Sequence, residues 1–199
     1  MLLVDTAKNA ALDALFPTGT GTDRCYLGIH TDYHATGSNL HGSVTAGTWA
    51  AASSGSKAIS AAVDLTVTGA ATIKWIGVWG GTAGNTFRGM IPNGSTGDKT
   101  FQVDLANNTV FCEGHGWSAD QKIVFHGGTA PTGLTAGTTY FLKVATAGDP
   151  DYFNVAATAG GAAIDITGQA AAGCVVSNIT EEAYAAGGTH RVSTLTIAL

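Results

Sequence analysis

The sequence is poor in charge: Asp, Glu, Lys and Arg make up only 12% of its 199 residues, and only nine residues are Lys or Arg. These nine are scattered and the net charge is −5, so we expect no nucleic-acid partner, because binding a phosphate backbone requires clustered basic residues. No run approaches the ~20 apolar residues of a membrane-spanning helix. Asp5 interrupts the N-terminal apolar stretch, which does not have the pattern of a secretory signal. We expect no membrane partner and synthesis in a cytosol.

Cysteine and proline are also scarce, with three and four residues. Cys25, Cys112 and Cys174 are far apart and form no CxxC pair, which argues against a zinc or redox motif. Cys112 and Cys174 could pair on neighbouring strands, but a reducing origin favours buried thiols. Glycine is abundant, with 28 residues, and 45% of the chain is hydrophobic. Short apolar runs between glycine turns predict an all-β protein.

The clearest strand lies in the stretch Ala71 to Gly81, which is rich in β-branched and aromatic residues and ends at a glycine pair. Alternation predicts one face with Ile73, Trp75, Gly77 and Trp79, and another with Lys74, Ile76 and Val78. Because both faces are mostly apolar, we expect a central strand that is covered on both sides.

One helix is predicted, from Val4 to Phe16, with Asp5 or Thr6 as its cap and Pro17 after its end. Its apolar stripe, which should pack on the rest of the protein, consists of Val4, Ala7, Ala11, Ala14 and Leu15. The apolar residues ahead of the helix either cover the core or contact a partner; these residues are Met1, Leu2 and Leu3.

Further strands are predicted along the chain, among them Arg24 to Thr31, Ala61 to Thr68 and a closing strand, Arg191 to Leu199. We expect a long polar loop from Asp32 to Gly47 and a short strand from Ala163 to Ile166. The predicted architecture is a β-sandwich host domain, 1–100 plus 181–199, with a short N-terminal helix and an inserted small β module, 101–180. Surface loops tolerate such insertions. Two sequential domains remain an alternative.

No catalytic or metal-binding constellation emerges from the sequence. His30, His34 and His41 lie near Asp32 in a polar stretch. His30 and His34 are four residues apart, a spacing that binds a metal ion well on a helix, but we expect no helix there. His115 between two glycines is expected to bond a turn backbone. There is no GxSxG, and no pair of carboxylates is marked by its spacing. We therefore predict no enzyme activity, no cofactor and no metal.

The segment from Gly114 to Gly173 resembles a small β module found in virion proteins of tailed bacteriophages. The resemblance is carried by a glycine-histidine-glycine turn, a "P-x-G-L-x-x-G-T-x-Y" motif and an "F-x-V-A-x-T-x-G-G-x-x-I-D" motif. The matching residues are Gly114, His115, Gly116, Pro131, Gly133, Leu134, Gly137, Thr138, Tyr140, Phe153, Val155, Ala156, Thr158, Gly160, Gly161, Ile164 and Asp165. The doublets Tyr140-Phe141 and Tyr152-Phe153 depart from the single ring expected at each place.

The remaining chain is more loosely similar to small head-associated or tail-associated virion proteins. The similarity lies in the N-terminal helix, the "L-G-I-H-T" of Leu27 to Thr31 and the "I-x-W-I-G-V-W" of Ile73 to Trp79. The resemblance implies a structural protein of the virion, located on the capsid as a decoration protein or on the tail. It also implies that the protein assembles into a homo-oligomer and binds other virion proteins.

A second hypothesis is a carbohydrate-binding module of a tail fibre or spike, which would contact glycans of the host surface. Sugar rings stack on exposed aromatic side chains, and four such residues lie in loop-like segments. The candidate glycan contacts are Trp49, Trp117, Tyr33 and Tyr184. The candidate partner contacts for assembly are Met1, Leu2 and Leu3.

Overall fold

A computed structural model of the chain describes residues 4–18, 24–81, 84–144 and 149–198. These residues form one short helix, α1 (Asp5–Leu15), and sixteen strands in several antiparallel sheets. The all-β fold predicted from the sequence is therefore confirmed.

The chain divides into two compact units. The first contains residues 1–91 and 182–199, and the second contains residues 92–181. The predicted boundaries lie after residues 100 and 180. Ten residues of the predicted host domain, 92–100 and Glu181, belong instead to the second unit.

The strands of the first unit are β1 (Tyr26–His30), β2 (Leu40–Ala46), β3 (Ser56–Ala58), β4 (Val63–Val67), β5 (Ala71–Ile73), β6 (Trp75–Gly80), β7 (Thr86–Pro92), β14 (Glu182–Tyr184), β15 (Gly188–Val192) and β16 (Thr196–Ala198). They form a four-stranded sheet with the order β2-β1-β6-β7 and three two-stranded sheets. Each strand that follows the second unit in sequence pairs with a strand that precedes it: β14 with β5, β15 with β4 and β16 with β3.

The core of the first unit is built by alternating residues of these strands. In β4, Val63, Leu65 and Val67 are buried while the intervening side chains are exposed, as the sequence predicts. Leu12 of helix α1 and Phe16, the C-cap residue of this helix, belong to the same core. The buried core residues are Leu12, Phe16, Cys25, Leu27, Ile29, Trp49, Val63, Leu65, Val67, Ile73, Ile76, Val78, Val192 and Leu195.

The predicted central strand consists of two strands, β5 and β6, in different sheets. They separate at Lys74, whose backbone N–H donates to the carbonyl of His30. Because of this break, Ile73 lies in the core with Ile76 and does not share a face with Trp75, so the predicted faces are wrong at Ile73. The expectation that β6 is covered on both sides is confirmed for Trp75, Ile76, Gly77 and Val78, which are all buried, whereas Trp79 is only half-buried.

Helix α1 agrees with the predicted helix to within one residue at each end, but two details differ. Val4 occupies the N-cap position without a side-chain hydrogen bond, so the predicted cap at Asp5 or Thr6 is wrong. The predicted stripe points mainly to solvent, with Val4 70% and Leu15 42% exposed, while Leu12 is buried.

The strands of the second unit are β8 (Gln102–Asp104), β9 (Thr109–Phe111), β10 (Lys122–His126), β11 (Thr139–Val144), β12 (Tyr152–Ala156) and β13 (Val175–Asn178). They form one six-stranded sheet with the order β13-β10-β11-β12-β9-β8. The core of this unit lies on one face of the sheet, where Ile123 and Phe125 of β10 meet Leu142 and Phe153.

Side-chain amides replace missing backbone partners in this unit. The side-chain amide of Gln169 accepts from the N–H of Val103 (3.4 Å) and donates to the carbonyl of Val103 (2.7 Å). This amide therefore occupies the outer side of β8. Asn178 likewise accepts from the N–H of Thr96 and donates to the carbonyl of Gly94. An amide side chain carries the same donor and acceptor as a peptide group, so it can extend a sheet by one residue.

Three further local predictions are wrong. The closing strand expected from Arg191 to Leu199 is divided between the end of β15 and β16, with residues 193–195 between them. The long polar loop expected from Asp32 to Gly47 contains strand β2, which pairs with β1. The strand expected from Ala163 to Ile166 forms only an isolated bridge, between Ala163 and Ala156. All three cysteines lie in the described part of the chain and no disulfide joins any two of them; Cys25 and Cys112 are buried.

Candidate functional site

The three residues predicted to contact a partner, Met1, Leu2 and Leu3, lie outside the described residues. The four predicted glycan contacts are described. Tyr33, Trp49 and Tyr184 belong to the first unit and Trp117 to the second.

Trp49 lies in the core of the first unit. It is 3% exposed, and its ring stacks on Phe16 with the centroids 5.9 Å apart. A ring that is covered in this way offers no face to a sugar, and this burial removes Trp49 from the candidate glycan contacts.

Tyr33 is half-buried and follows β1 in the chain. Its ring lies over the fully buried Trp75, with the centroids 5.1 Å apart. On the same face of the four-stranded sheet, Trp79 contacts the rings of His30 (6.2 Å) and Phe87 (5.0 Å). Tyr33 is among the glycan contacts predicted from the sequence, but Trp79 and Phe87 are not, because alternation predicts that Trp79 lies in a strand covered on both sides.

Tyr184 is half-buried and is held by a group of polar side chains that the sequence analysis did not connect. Its hydroxyl donates to Glu182 Oε1 (2.5 Å) and lies 3.3 Å from Nδ1 of His190, which in turn lies 3.1 Å from Glu182 Oε2. Burial and the Glu182 carboxylate raise the pKa of Tyr184 to about 12. Burial lowers the pKa of His190, although Glu182 opposes this effect. The tyrosine is therefore fixed as a neutral donor.

Trp117 is half-buried beside the predicted glycine-histidine-glycine turn. Its backbone N–H donates to Nδ1 of His115 (2.9 Å), so His115 bonds a turn backbone as expected. The ring of His115 lies 5.3 Å from those of Trp117 and Phe153, and burial lowers its pKa. These contacts give His115 a packing role at the edge of the second core.

The predicted histidine group near Asp32 does not assemble. His30 belongs to β1, is fully buried and bonds Asn39 through Nδ1 (3.0 Å), whereas His41 accepts the N–H of Thr68 through Nε2 (3.2 Å). Within the described residues, no three His, Cys, Asp or Glu side chains lie close enough together to hold a metal ion.

A serine, a histidine and an aspartate meet in the second unit, where no sequence pattern predicts a cluster. Ser177 Oγ donates to Asp98 Oδ1 (2.6 Å), and His126 Nε2 lies 3.0 Å from Ser177 Oγ and 3.2 Å from Asp98 Oδ1. Burial alone would raise the pKa of Asp98, but the hydrogen bonds from His126 and Ser177 lower it. The three residues lie far apart in sequence and only the pairing of β10 with β13 brings two of them together.

This cluster does not have the geometry of a nucleophilic site. In a hydrolase triad the histidine takes the serine proton, and the aspartate bonds the opposite ring nitrogen. Here Asp98 accepts the serine proton directly, and Ser177 is completely buried in a strand. The arrangement instead ties the segment that contains Asp98 to strand β13.

Comparisons with protein-family models, with curated proteins and with solved structures find no match to this chain. Among the described residues, no helix combines the length and the apolar character that crossing a bilayer requires.

Proposed function

We propose that the protein is a structural component of a tailed-phage virion, assembled in multiple copies on the capsid as a decoration protein or on the tail. In this role it binds other virion proteins and copies of itself, and it catalyses no reaction. Its partners include neither nucleic acid nor membrane. The resemblance of residues 114–173 to a virion module supports the proposal.

The observation that carries the proposal is that the residues of the resembling motifs form the turns and the core of the second unit. Gly133 has a positive φ of 105°, and a Cβ there would stand 2.4 Å from the carbonyl oxygen of Asp165. Tyr140 is buried and its hydroxyl accepts the N–H of Thr135 (2.8 Å), while Phe153 and Val155 are fully buried. A motif of turn glycines and core rings specifies a scaffold, and such a motif fits a module used for building particles.

The direct test is electron microscopy of intact particles of the phage whose genome encodes the chain, after a tag has been fused to the encoded protein. We expect the tag at repeated, symmetric positions on the head or the tail. Purified particles of the tagged phage that never carry the tag, although the infected cells contain the tagged protein, would contradict the proposal.

A glycan-binding role is the second candidate, and the aromatic group on the outer face of the four-stranded sheet favours it. Tyr33, Trp79 and Phe87 keep part of their surface exposed there. A glycan array probed with the purified protein tests this role, with a Trp79→Ala variant as the control for stacking. Binding that Trp79→Ala abolishes supports a glycan site, and an array without signal rejects it.

A further inference from the structure

The segment that joins β1 to β2, residues 31–39, lies across the aromatic face of the four-stranded sheet, and we call it the flap. The ring of Tyr33 covers that of Trp75, with the centroids 5.1 Å apart, and Trp75 is fully buried. Gly37 lies directly against Phe87, since a Cβ at Gly37 would stand 2.4 Å from the ring. The position of the flap therefore decides whether these rings of the sheet meet solvent.

His30, the last residue of β1, fastens the flap to the sheet. Its ring is fully buried, and Nδ1 lies 3.0 Å from Oδ1 of Asn39 at the far end of the flap. An amide oxygen can only accept a hydrogen bond, so Nδ1 carries the proton of the neutral ring and Nε2 carries none. The Nδ2 of Asn39 donates to the carbonyl of Asp32 (2.8 Å), which ties the two ends of the flap together.

The buried position of His30 suits the neutral ring and not the charged one. Nε2 is buried without a hydrogen-bond partner among the described residues. A Cβ at Gly77 would stand 2.4 Å from this nitrogen and 2.9 Å from Nε1 of Trp79, which is itself a donor. A second proton would therefore create a buried, unpaired N–H on a charged group, which is far more costly than a buried neutral ring. Protonation requires the ring to move to solvent.

The surroundings of His30 do not compensate a positive charge. The side chains that lie beside it on the sheet are uncharged; they are Leu40, Trp75, Trp79 and Phe87. On the flap, Asp32 is exposed and lies 3.8 Å from Lys74. Burial lowers the pKa of His30 against the effect of its bonds to Asn39, and the nearby His34 adds to the lowering.

We propose that the flap is operated by acid: protonation of His30 drives its ring to solvent, breaks its bond to Asn39 and opens residues 31–39 while the sheet stays folded. The flap is closed at neutral pH and opens as the pH falls below the ordinary histidine value of about 6.5. His34 acts in the same direction, because its Nδ1 accepts the N–H of Thr36 (3.3 Å) and a protonated imidazole cannot accept. Its ring also bonds the uncharged hydroxyls of Thr36 and Ser38. Opening exposes the ring of Trp75.

The test is hydrogen exchange of the purified full-length chain at pH 7.5 and pH 5, corrected for the intrinsic effect of pH on exchange. The amides of His34 and Gly37 donate to Sδ of Met90 and to the carbonyl of His34 in the closed flap. We expect their protection to fall by up to about 30-fold, the limit for one ring that titrates near 6.5 when the flap is open, while β4 stays protected. His30→Asn, which keeps a donor for Asn39 but is not charged by acid, should remove most of the fall. His115→Asn, which replaces a buried histidine of the second unit, should leave it unchanged.

Flap protection that is the same at both pH values, or that is lost together with that of β4, would overturn the proposal. A fall that persists in folded His30→Asn would overturn the role of His30. If His30→Asn fails to fold, nuclear magnetic resonance of the unaltered protein decides: the pH midpoint of flap opening must coincide with that of protonation of the His30 ring, and two separate midpoints reject the proposal.

Discussion

Asn108 illustrates how one side chain holds an irregular segment in place. It has a positive φ of 55°, which asparagine tolerates, and its Nδ2 donates to the carbonyl of Ile164 (3.0 Å). Its Oδ1 accepts the N–H of Ile166 (2.8 Å). The segment around Ile164 therefore keeps its hydrogen bonds although it does not form a strand.

Replacing Asn108 with Asp keeps the shape but removes the donor and sets a carboxylate against the carbonyl of Ile164. Because one polar partner is lost at a partly buried site, we expect about 1–3 kcal/mol less stability. Chemical denaturation at pH 7 measures the change. Gln102→Glu makes the same chemical change at an exposed position of β8 and should alter stability little; equal effects of the two variants would contradict the role of Asn108.

We expect the buried histidines to make the protein less stable in acid. His30 is fully buried, bonds Asn39 through Nδ1, and has its pKa lowered by burial, with the nearby His34 adding to the effect. Burial also lowers the pKa values of His115 and His190. A histidine with a lowered folded pKa binds more protons when unfolded. Its stabilising contribution is therefore present above the ordinary value of about 6.5 and is lost as the pH falls through the folded pKa.

We expect the melting temperature to fall as the pH is lowered from 7.5 to 5, and His30→Gln to reduce the slope of that fall. Gln is not charged by acid, so the variant isolates the titration of one ring. Calorimetry over this pH range measures both slopes. A melting temperature that is independent of pH, or a slope unaffected by the substitution, would contradict the assignment.

Helix α1 is attached to the first unit largely by polar contacts. Asn9 Oδ1 accepts the N–H of Gly55 (2.9 Å), and Asp13 Oδ1 accepts the N–H of Ala52 (3.0 Å). Asp13 also pairs with Lys57, whose side chain is fully buried (2.5 Å). The hydrogen bond from Lys57 lowers the pKa of Asp13.

Removing the carboxylate in Asp13→Ala leaves the ammonium group of Lys57 buried beneath the helix without its counter-ion. We expect a lower melting temperature and faster hydrogen exchange in residues 5–15, because an uncompensated buried charge is costly. Asp13→Ala combined with Lys57→Met should recover most of the loss. If the single variant melted at the temperature of the unaltered protein, the pair would have no anchoring role.

The helix and most strands could be predicted from the sequence because their patterns are local. The alternation of Val63, Leu65 and Val67 identified β4, and the period of α1 was visible even though its buried face was not. The wrong face was chosen because apolar residues were assumed to point inward, whereas Asn9 and Asp13 supply inward contacts. Strand β2 was missed because its sequence mixes polar residues and a glycine with Leu40 and Val44 and shows no clear alternation.

The aromatic and polar groups of the candidate site could be predicted only in part. Tyr33 and Tyr184 were selected as aromatic residues in loops, but the partners that fix them come from distant strands. The Asp98, His126 and Ser177 cluster depends on the pairing of β10 with β13, which no local pattern encodes. The types of residue that take part in the candidate site could thus be predicted from the sequence, whereas their contacts could not, because these depend on which strands pair.

Each unit of the molecule has its own core, and the two sets of buried residues share no member. Leu27 is fully buried in the first core and Phe153 in the second. Phe153→Ala should destabilise the second unit by about 3–5 kcal/mol and Leu27→Ala the first by about 2–5 kcal/mol. Native-state hydrogen exchange separates the effects.

We expect Phe153→Ala to reduce protection in 92–181 and leave the amides of β1 and β6 unchanged, and Leu27→Ala to do the reverse. The two variants serve as controls for each other, since each removes a large side chain from a core. Equal losses of protection in both units after either substitution would contradict separate cores.

At the scale of the whole molecule, we propose that the chain is a building block of a phage particle. Quantitative mass spectrometry of purified, nuclease-treated particles tests it most directly, with the major capsid protein as the internal standard. We expect peptides from both units at equal abundance and at a fixed number of copies per particle, greater than one. Particles that lack these peptides, while the infected cells contain the protein, would contradict it.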